Sequence, residues 1–207
     1  MIELFSANTP NGWKISIMLE EIGYDYKVTK VDLGKDEQFK PEFIKLSPFG
    51  KIPVIIDHEN NKSLFESGAI LMYLGDKSGK LYNEKDRLVI NQWLMAQMGT
   101  VGPMIGQHHQ FHHYNPGKSD FGEDRYFKIA ETIYKNLDDH LSINEYLANE
   151  YSIADIATFP WIARHPIHDI GLNKYINLLR WYNQISLRPA VLKGYDLFKD
   201  GSIPPPA

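Results

Sequence analysis

Residues 47–71 read SPFGKIPVIIDHENNKSLFESGAIL, and this segment carries the strongest fold signal in the chain. Residues 52–57 are apolar and rich in branched side chains, with a proline near their start, and predict a strand. A polar turn follows, and residues 63–66 predict a second strand that pairs with the first as a hairpin. Ser67 can cap the next helix, because apolar residues recur on one face of the segment behind it.

The segment before this hairpin alternates between strand and helix patterns. Residues 2–6 predict a strand, followed by a turn cluster and a helix that Gly23 closes. Residues 24–31 predict a second strand, and residues 41–46 a short helix that ends before a proline. The order over residues 1–79 is therefore β-α-β-α-β-β-α, which indicates a small mixed sheet with helices packed on it.

Beyond this point the chain shows helical periodicity and almost no strand signal. The predicted helical segments are 87–97, 123–141, a segment capped by Ser152 and Asp155 that continues through 156–162, and a last helix at 177–186. The Gly/Pro-containing residues 99–103 should kink or interrupt the first of them. We therefore expect an α/β domain at residues 1–79 and an all-helical domain at residues 84–207.

Composition limits the classes of function. Of 207 residues, 43% are hydrophobic and 23% are charged, which is ordinary for a globular protein, and the net charge is −4. We therefore expect neither a nucleic-acid partner nor a membrane contact. The N-terminus predicts a strand and lacks the basic segment of a signal peptide, so the cytoplasm is the expected compartment.

The chain contains no cysteine. Disulfide bonds, a protein thiolate nucleophile and a Cys-x-x-Cys redox pair are thereby excluded. Any thiol chemistry must use a thiol that a ligand brings.

Three motifs, in matching order and spacing, resemble the glutathione transferase family. They are PFGKIPV at residues 48–54, LFESGAI at 64–70 and YSIADIA at 151–157. Further segments resemble the nu-class bacterial enzymes of that family; they are 9–14, 31–35, 38–39, 102–107 and 124–126. The resemblance implies a thioredoxin-like N-terminal domain, an all-helical C-terminal domain, bound glutathione in its reduced or oxidised form, no metal, and a homodimer. Residues 73–82 and 87–97 are candidates for the dimer interface.

The resemblance also implies which residues hold the glutathione backbone and its γ-glutamyl end. In the family the bond before Pro53 is cis, which turns the backbone of Ile52 toward the cysteinyl part of the ligand; a trans proline at an edge strand is the alternative. Ser67 at a helix N-terminus suits a carboxylate, and Glu66 can pair with the ligand's amino group. A helix cap with a solvated acid is the other interpretation, and both can hold together.

Gln38 and Lys51 are implied at the glycyl carboxylate, with exposed surface side chains as the alternative. Arg125, from the helical domain, is similar to a nu-class arginine and would reach a glutathione carboxylate, that of the first or of a second bound molecule. An arginine in a salt bridge on its helix is the competing interpretation.

Thr9 and Asn11 lie in the loop that faces the ligand's sulfur in the family, and they are the candidate catalytic residues. A hydroxyl or amide donor lowers the pKa of a thiol and so raises its reactive fraction. The alternative is a turn that only starts a helix. Ser6 could also donate, although a structural role at the end of a buried strand is favoured.

Four histidines, at 108, 109, 112 and 113, form two pairs at i,i+4 spacing, which can bind a metal on a helix. No Glu or Cys completes a recognisable site, so we do not expect a metal. A polar wall of a substrate pocket is one alternative, and an ordinary exposed surface is the favoured one.

The function that fits best is a glutathione-dependent disulfide-bond oxidoreductase in which glutathione thiols replace protein cysteines. A second possibility is a glutathione S-transferase or peroxidase that acts on small electrophiles or organic peroxides. A third is a binding module without turnover, as in the fungal nitrogen regulator that shares this fold.

Overall fold

The computed structural model describes residues 1–207, which group into two compact units. Residues 1–83 and 188–204 form the first unit, and residues 84–187 and 205–207 form the second. The strands are β1 (Ile2–Ser6), β2 (Tyr26–Lys30), β3 (Val54–Asp57) and β4 (Lys62–Phe65). The α-helices are α1 (Pro10–Ile22), α2 (Pro41–Ile44), α3 (Ser67–Ser78), α4 (Arg87–Ala96), α5 (Gly102–His108), α6 (Asp120–Leu141), α7 (Ile153–Ile162), α8 (Ile176–Ser186) and α9 (Pro189–Tyr195).

The first unit is built on a four-stranded mixed sheet in the order β2-β1-β3-β4. Strands β1 and β2 run parallel, whereas β3 is antiparallel to both β1 and β4. A parallel pair needs a crossover connection, and α1 supplies it between β1 and β2. The hairpin β3–β4 leads directly into α3. The predicted fold class, an α/β unit of this order followed by helices, is confirmed.

The core of the first unit lies between the sheet and helices α1 and α3. Leu4 of β1 and its cross-strand partner Ile55 of β3 are fully buried, as are Ile15 and Leu19 of α1 and Leu71 of α3. Burying large aliphatic side chains of this kind contributes roughly 1.5 to 3 kcal/mol each. This packing fixes the end of β1, the start of β3 and the first turns of α1 and α3, from which the candidate site is built.

The second unit is helical, and α7 is buried along nearly its whole length. Its predicted capping box is present: Ser152 and Asp155 bond each other's backbone, and the Asp155 carboxylate also accepts from the Trp181 indole N–H at 2.8 Å. Burial raises the pKa of Asp155 to about 6, although these hydrogen bonds act against it. The predicted interruption after α4 is a π-helical segment, Gln97–Val101, before Pro103 in the first turn of α5.

The helix predicted at 177–186 is present as α8, but the prediction that it is the last helix is wrong, because α9 follows it and packs on α1. The Ser16 hydroxyl donates to the Gly194 carbonyl at 2.6 Å, and Arg188 pairs with Glu21 at 2.6 Å. A Cβ on Gly194 would lie only 2.7 Å from the Ile17 backbone nitrogen, so the close approach requires glycine. The predicted limits 1–79 and 84–207 remain a prediction, since packing contacts do not decide where separately folding domains end.

None of the helices combines the length with the apolar character that a bilayer crossing requires.

Candidate functional site

A pocket of about 120 Å³ forms on the first unit where the first turn of α1, the loop before β3 and the start of α3 meet. Its lining residues come from segments far apart in sequence, and they are Asn11, Ser47, Lys51, Ile52, Pro53, Glu66 and Ser67. The tertiary structure thus brings together six of the residues that the sequence singled out and adds one, Ser47.

The Ile52–Pro53 bond is cis, as the resemblance implied. Ser47 holds the loop in front of it: its hydroxyl donates to the Lys51 carbonyl at 2.8 Å and accepts from the Lys51 N–H at 3.1 Å. Ser47 is 1% exposed, so these two bonds are buried constraints on the loop. Sequence reasoning missed this role, because Ser47 was recognised only as the residue that stops a helix before proline.

Glu66 occupies the N-cap position of α3, and Ser67 is the first residue of that helix. The prediction that Ser67 is the cap is therefore wrong by one residue. Glu66 has φ 71° and ψ 114°, a conformation that residues with side chains rarely adopt, and its side chain does not cap the helix. Such strained residues cluster at functional sites. The exposed Glu66 carboxylate is negatively charged and can attract a cation. Next to it, the helix N-terminus at Ser67 attracts anions.

A buried cation lies next to Ser67. The Lys14 Nζ atom is 3.3 Å from the Ser67 hydroxyl oxygen, and Lys14 is 1% exposed. Burial lowers the pKa of Lys14 to about 7, while the Glu66 carboxylate acts to raise it. No role was predicted for Lys14. The signal that could have found it is a lysine inside a run of apolar residues, Trp13 to Leu19, that is buried throughout.

Thr9 is the N-cap residue of α1, whereas Asn11 lies in the first turn of that helix, so the predicted loop position is wrong for Asn11. The Thr9 hydroxyl oxygen caps the helix by accepting from the Gly12 N–H at 3.2 Å, and Asn11 lines the pocket. Ser6 is fully buried and its hydroxyl donates to the Ala7 carbonyl at 3.4 Å, which fits the structural role favoured for it. Thr9 thus starts the helix without lining the pocket, and Asn11 in the first turn forms part of the pocket wall.

Three remaining residues differ in their surroundings. Gln38 is buried in a short 3-10 turn, its Oε1 atom has no partner within the protein, and it does not line the pocket. Lys51 is exposed at the pocket rim. Arg125 is exposed on α6 of the second unit, with its guanidinium carbon 5.9 Å from the centre of the Tyr126 ring. Arg125 forms no ion pair on its helix, so the competing interpretation as a salt-bridged arginine is wrong.

The histidine-rich segment is partly buried, so the favoured surface interpretation is wrong for His108 and His109, which are 0% and 5% exposed. The His108 ring N–H donates to the His168 carbonyl at 2.8 Å, and His109 Nε2 lies 2.7 Å from His168 Nε2. The Tyr134 hydroxyl lies 2.6 Å from His168 Nδ1. No group of three His, Cys, Asp or Glu side chains in the chain is arranged to hold a metal ion.

Family models identify the chain. Residues 1–76 match the glutathione S-transferase N-terminal domain, and residues 112–189 match the C-terminal domain of the same family. The chain belongs to the glutathione S-transferase family. One curated relative is the disulfide-bond oxidoreductase YfcG of Escherichia coli. The present chain is 43% identical to it over 198 residues, and the match covers 92% of each chain.

Solved structures of the family share this fold. One is a glutathione transferase from Pseudomonas putida with one glutathione disulfide per subunit, at 44% identity and a TM-score of 0.88, covering 93% of this chain and 90% of that one. Another, from Burkholderia graminis, holds two glutathione molecules per subunit, at 40% identity and a TM-score of 0.90, covering 97% and 89%.

Proposed function

We propose that this glutathione S-transferase family member is a glutathione-dependent disulfide-bond oxidoreductase. The observation that carries the proposal is the pocket formed by the cis Ile52–Pro53 bond and the Glu66–Ser67 turn. The name of the 43% identical relative and the glutathione bound in the two solved structures support it.

Each part of glutathione has a complementary group in this pocket. The Ile52 backbone would pair with the cysteinyl backbone of the ligand. The γ-glutamyl carboxylate would accept from Ser67 at the positive end of α3, and the neighbouring ammonium group would pair with Glu66. Lys51 at the rim would attract the glycyl carboxylate. Gln38 remains a proposed contact of that carboxylate on sequence resemblance, although it does not line the pocket.

The sulfur would lie near Thr9 and Asn11, at the start of α1. The Thr9 oxygen accepts from the Gly12 N–H, which leaves the hydroxyl proton to donate to a thiolate. Asn11 can donate its amide N–H in the same way. Donors of this kind stabilise the thiolate and raise its fraction at neutral pH.

The chain has no cysteine, so both sulfur nucleophiles must be glutathione. The thiolate of a first glutathione attacks one sulfur of the substrate disulfide, forms a mixed disulfide and releases one substrate thiolate, which takes a proton. A second glutathione thiolate attacks the glutathionyl sulfur of the mixed disulfide and releases the other substrate thiol. The two glutathiones together lose two electrons and become glutathione disulfide. The substrate disulfide gains these two electrons and becomes two thiols.

Arg125 is proposed as an anchor for a glutathione carboxylate, on the strength of sequence resemblance. Arginine suits this role because its guanidinium group can donate two parallel hydrogen bonds to a carboxylate. Arg125→Met should weaken binding of one glutathione equivalent, measured as the number of molecules bound per chain by calorimetry. Unchanged stoichiometry and affinity would remove Arg125 from the site.

The proposal is tested by the rate at which the purified chain reduces bis(2-hydroxyethyl) disulfide with glutathione, coupled to glutathione reductase and NADPH. We expect a rate above that of glutathione alone, and a loss of tenfold or more in Ser67→Ala, which removes a hydrogen bond to a charged group. Ser63→Ala, on the exposed strand β4, is the matched control. A parallel assay with a chloronitrobenzene tests conjugation. Turnover there without disulfide reduction would replace the proposal by the transferase alternative, and binding without turnover in either assay would favour the binding module.

We also propose that the chain forms a homodimer and works in the cytoplasm. Leu88 and Met95 lie two turns apart on α4, within the candidate interface, and their exposed fractions are 75% and 51%. Exposed apolar side chains of this kind favour association. Sedimentation should therefore give twice the mass of the chain, and Leu88→Glu should lower it to the monomer. A reducing compartment keeps glutathione in the thiol form that the reaction consumes.

A further inference from the structure

A buried lysine lies directly behind the proposed carboxylate position. Lys14 sits in the first half of α1 with 1% of its surface exposed, and its Nζ atom is 3.3 Å from Ser67 Oγ. Ser67 lines the pocket, whereas Lys14 does not. A molecule in the pocket therefore contacts the Ser67 hydroxyl directly, and Lys14 acts on that molecule only through Ser67.

The protonation state of Lys14 decides which way the Ser67 hydroxyl points. A charged ammonium group has three donors and no acceptor, so Ser67 Oγ must accept from it and cannot donate its proton to Lys14. A neutral amine has a lone pair that can accept the Ser67 proton instead. The charged state removes this competing acceptor, and the Ser67 hydroxyl can then donate to a carboxylate that enters the pocket.

The surroundings of Lys14 allow its protonation state to change when a ligand binds. Burial lowers the pKa of Lys14 to about 7, and Glu66 is the charged group that acts to raise it. Glu3 of β1 and Lys193 of α9, on elements that also pack against α1, do not contribute. Near neutral pH the two forms therefore coexist, and a carboxylate bound at Ser67 would favour the charged one.

We propose that Lys14 is a positioning residue of the glutathione site: it takes up a proton from solvent when the γ-glutamyl carboxylate binds, and it then directs the Ser67 hydroxyl toward that carboxylate. This inference rests on the proposed function, because it needs glutathione in this pocket. It adds a buried cation that supports the anion site from inside the protein.

Calorimetry with S-methylglutathione tests the inference, because this probe keeps the γ-glutamyl carboxylate but has no thiol proton to release. The binding enthalpy is measured in phosphate, HEPES and Tris, and its slope against buffer ionisation enthalpy gives the protons taken up. We expect about half a proton per site at pH 7.5, and close to none at pH 6.0, where Lys14 is already charged. Lys14→Met should abolish the uptake and weaken binding by roughly tenfold or more. Lys45→Met, at an exposed lysine of the same unit, should behave as wild type.

The outcomes separate the two proposals. Binding by the wild type without proton uptake at pH 7.5 would overturn the role of Lys14 and leave the proposed function standing. Equal uptake by Lys14→Met would overturn it as well. If that variant does not fold, the pH dependence of the wild type still decides. A wild type that does not bind the probe at any pH would overturn both proposals.

Discussion

The Thr9 hydroxyl oxygen accepts a hydrogen bond from the Gly12 backbone N–H at 3.2 Å, and this contact joins the candidate catalytic loop to the first turn of α1. One atom of Thr9 thereby serves two purposes, because its oxygen satisfies an unpaired helix N–H while its proton stays available to a ligand. Substitutions of Thr9 should therefore change both the free energy of unfolding and the rate of disulfide reduction. A suitable control variant can separate the two effects.

Replacing Thr9 by alanine removes the cap and the donor together. We expect Thr9→Ala to lower the free energy of unfolding by about 1 kcal/mol and the disulfide reductase rate by roughly tenfold or more. Thr9→Ser should retain most of both. Ser119→Ala is the matched control: Ser119 caps α6 through the Gly122 N–H at 3.1 Å, so its loss should cost similar stability and leave kcat/KM unchanged. Equal losses of activity in Thr9→Ala and Ser119→Ala would mean that Thr9 acts only as a cap.

Gly12 is required for the close approach between the loop and α1. A Cβ atom there would overlap the Ala7 carbonyl oxygen and the Ser6 hydroxyl oxygen, so the backbone would have to shift. Gly12→Ala should lower the free energy of unfolding by roughly 1 to 3 kcal/mol, measured by urea denaturation. A Cβ on Gly99 would meet nothing within 4 Å, and Gly99→Ala should cause no loss. A Gly12→Ala chain as stable as the wild type would contradict this packing.

Asp57 anchors the end of β3 to α3. It is fully buried, and its carboxylate accepts from Lys77 at 2.5 Å and from Tyr73 at 2.6 Å. Burial acts to raise the pKa of Asp57, but these hydrogen bonds outweigh it and hold the pKa below its ordinary value. Asp57→Asn should lower the free energy of unfolding by about 3 kcal/mol, because Lys77 loses its buried partner.

Glu59 provides the control for that experiment. Its exposed carboxylate pairs with the same Lys77 at 2.6 Å, and exposed pairs contribute about 1 kcal/mol or less. Glu59→Gln should therefore be nearly neutral in urea denaturation. Similar effects of the two substitutions would show that burial does not set the strength of the Asp57 contact.

The buried histidines predict acid-sensitive stability. Burial is the main cause that lowers the pKa of His108, His109 and His168, and it lowers that of His109 to about 3. Unfolded histidines take up protons near pH 6.5, whereas burial disfavours proton uptake by these three in the native state, so stability is present at high pH and is lost as the pH falls. We expect the free energy of unfolding to drop by about 2 kcal/mol between pH 7.5 and 6.0. The buried Lys14 acts in the same direction.

His109→Gln isolates the histidine contribution and should reduce that drop by about a third. The measurements stay above pH 6 because burial raises the pKa of Asp155 to about 6, and its protonation in the native state opposes the loss below that value. A drop that is the same in wild type and His109→Gln would contradict the prediction.

Much of the fold was predictable because its signals are local. The turn-flanked strands, the Ser152–Asp155 capping box and the interruption before Pro103 each depend on residues within a few positions of one another. The segments containing Pro53 and Ser67 could likewise be assigned to one site, because they resemble a family in which those motifs meet. The sequence by itself thus determined the order of elements over residues 1–79, the absence of protein thiols and the candidate ligand.

Only the tertiary structure decided which side chains support that site. Lys14 reaches Ser67 across 53 residues of sequence, and His109 reaches His168 across 59. Lys14 lies in an apolar run and His109 belongs to an i,i+4 histidine pair, but neither pattern names the partner, because the two residues of each pair are far apart in the chain. Helix α9 packs on α1 for a similar reason, since the close approach of Gly194 to Ile17 exists only when both surfaces are formed. Burial and long-range contact give these residues their properties, and both come from packing in three dimensions.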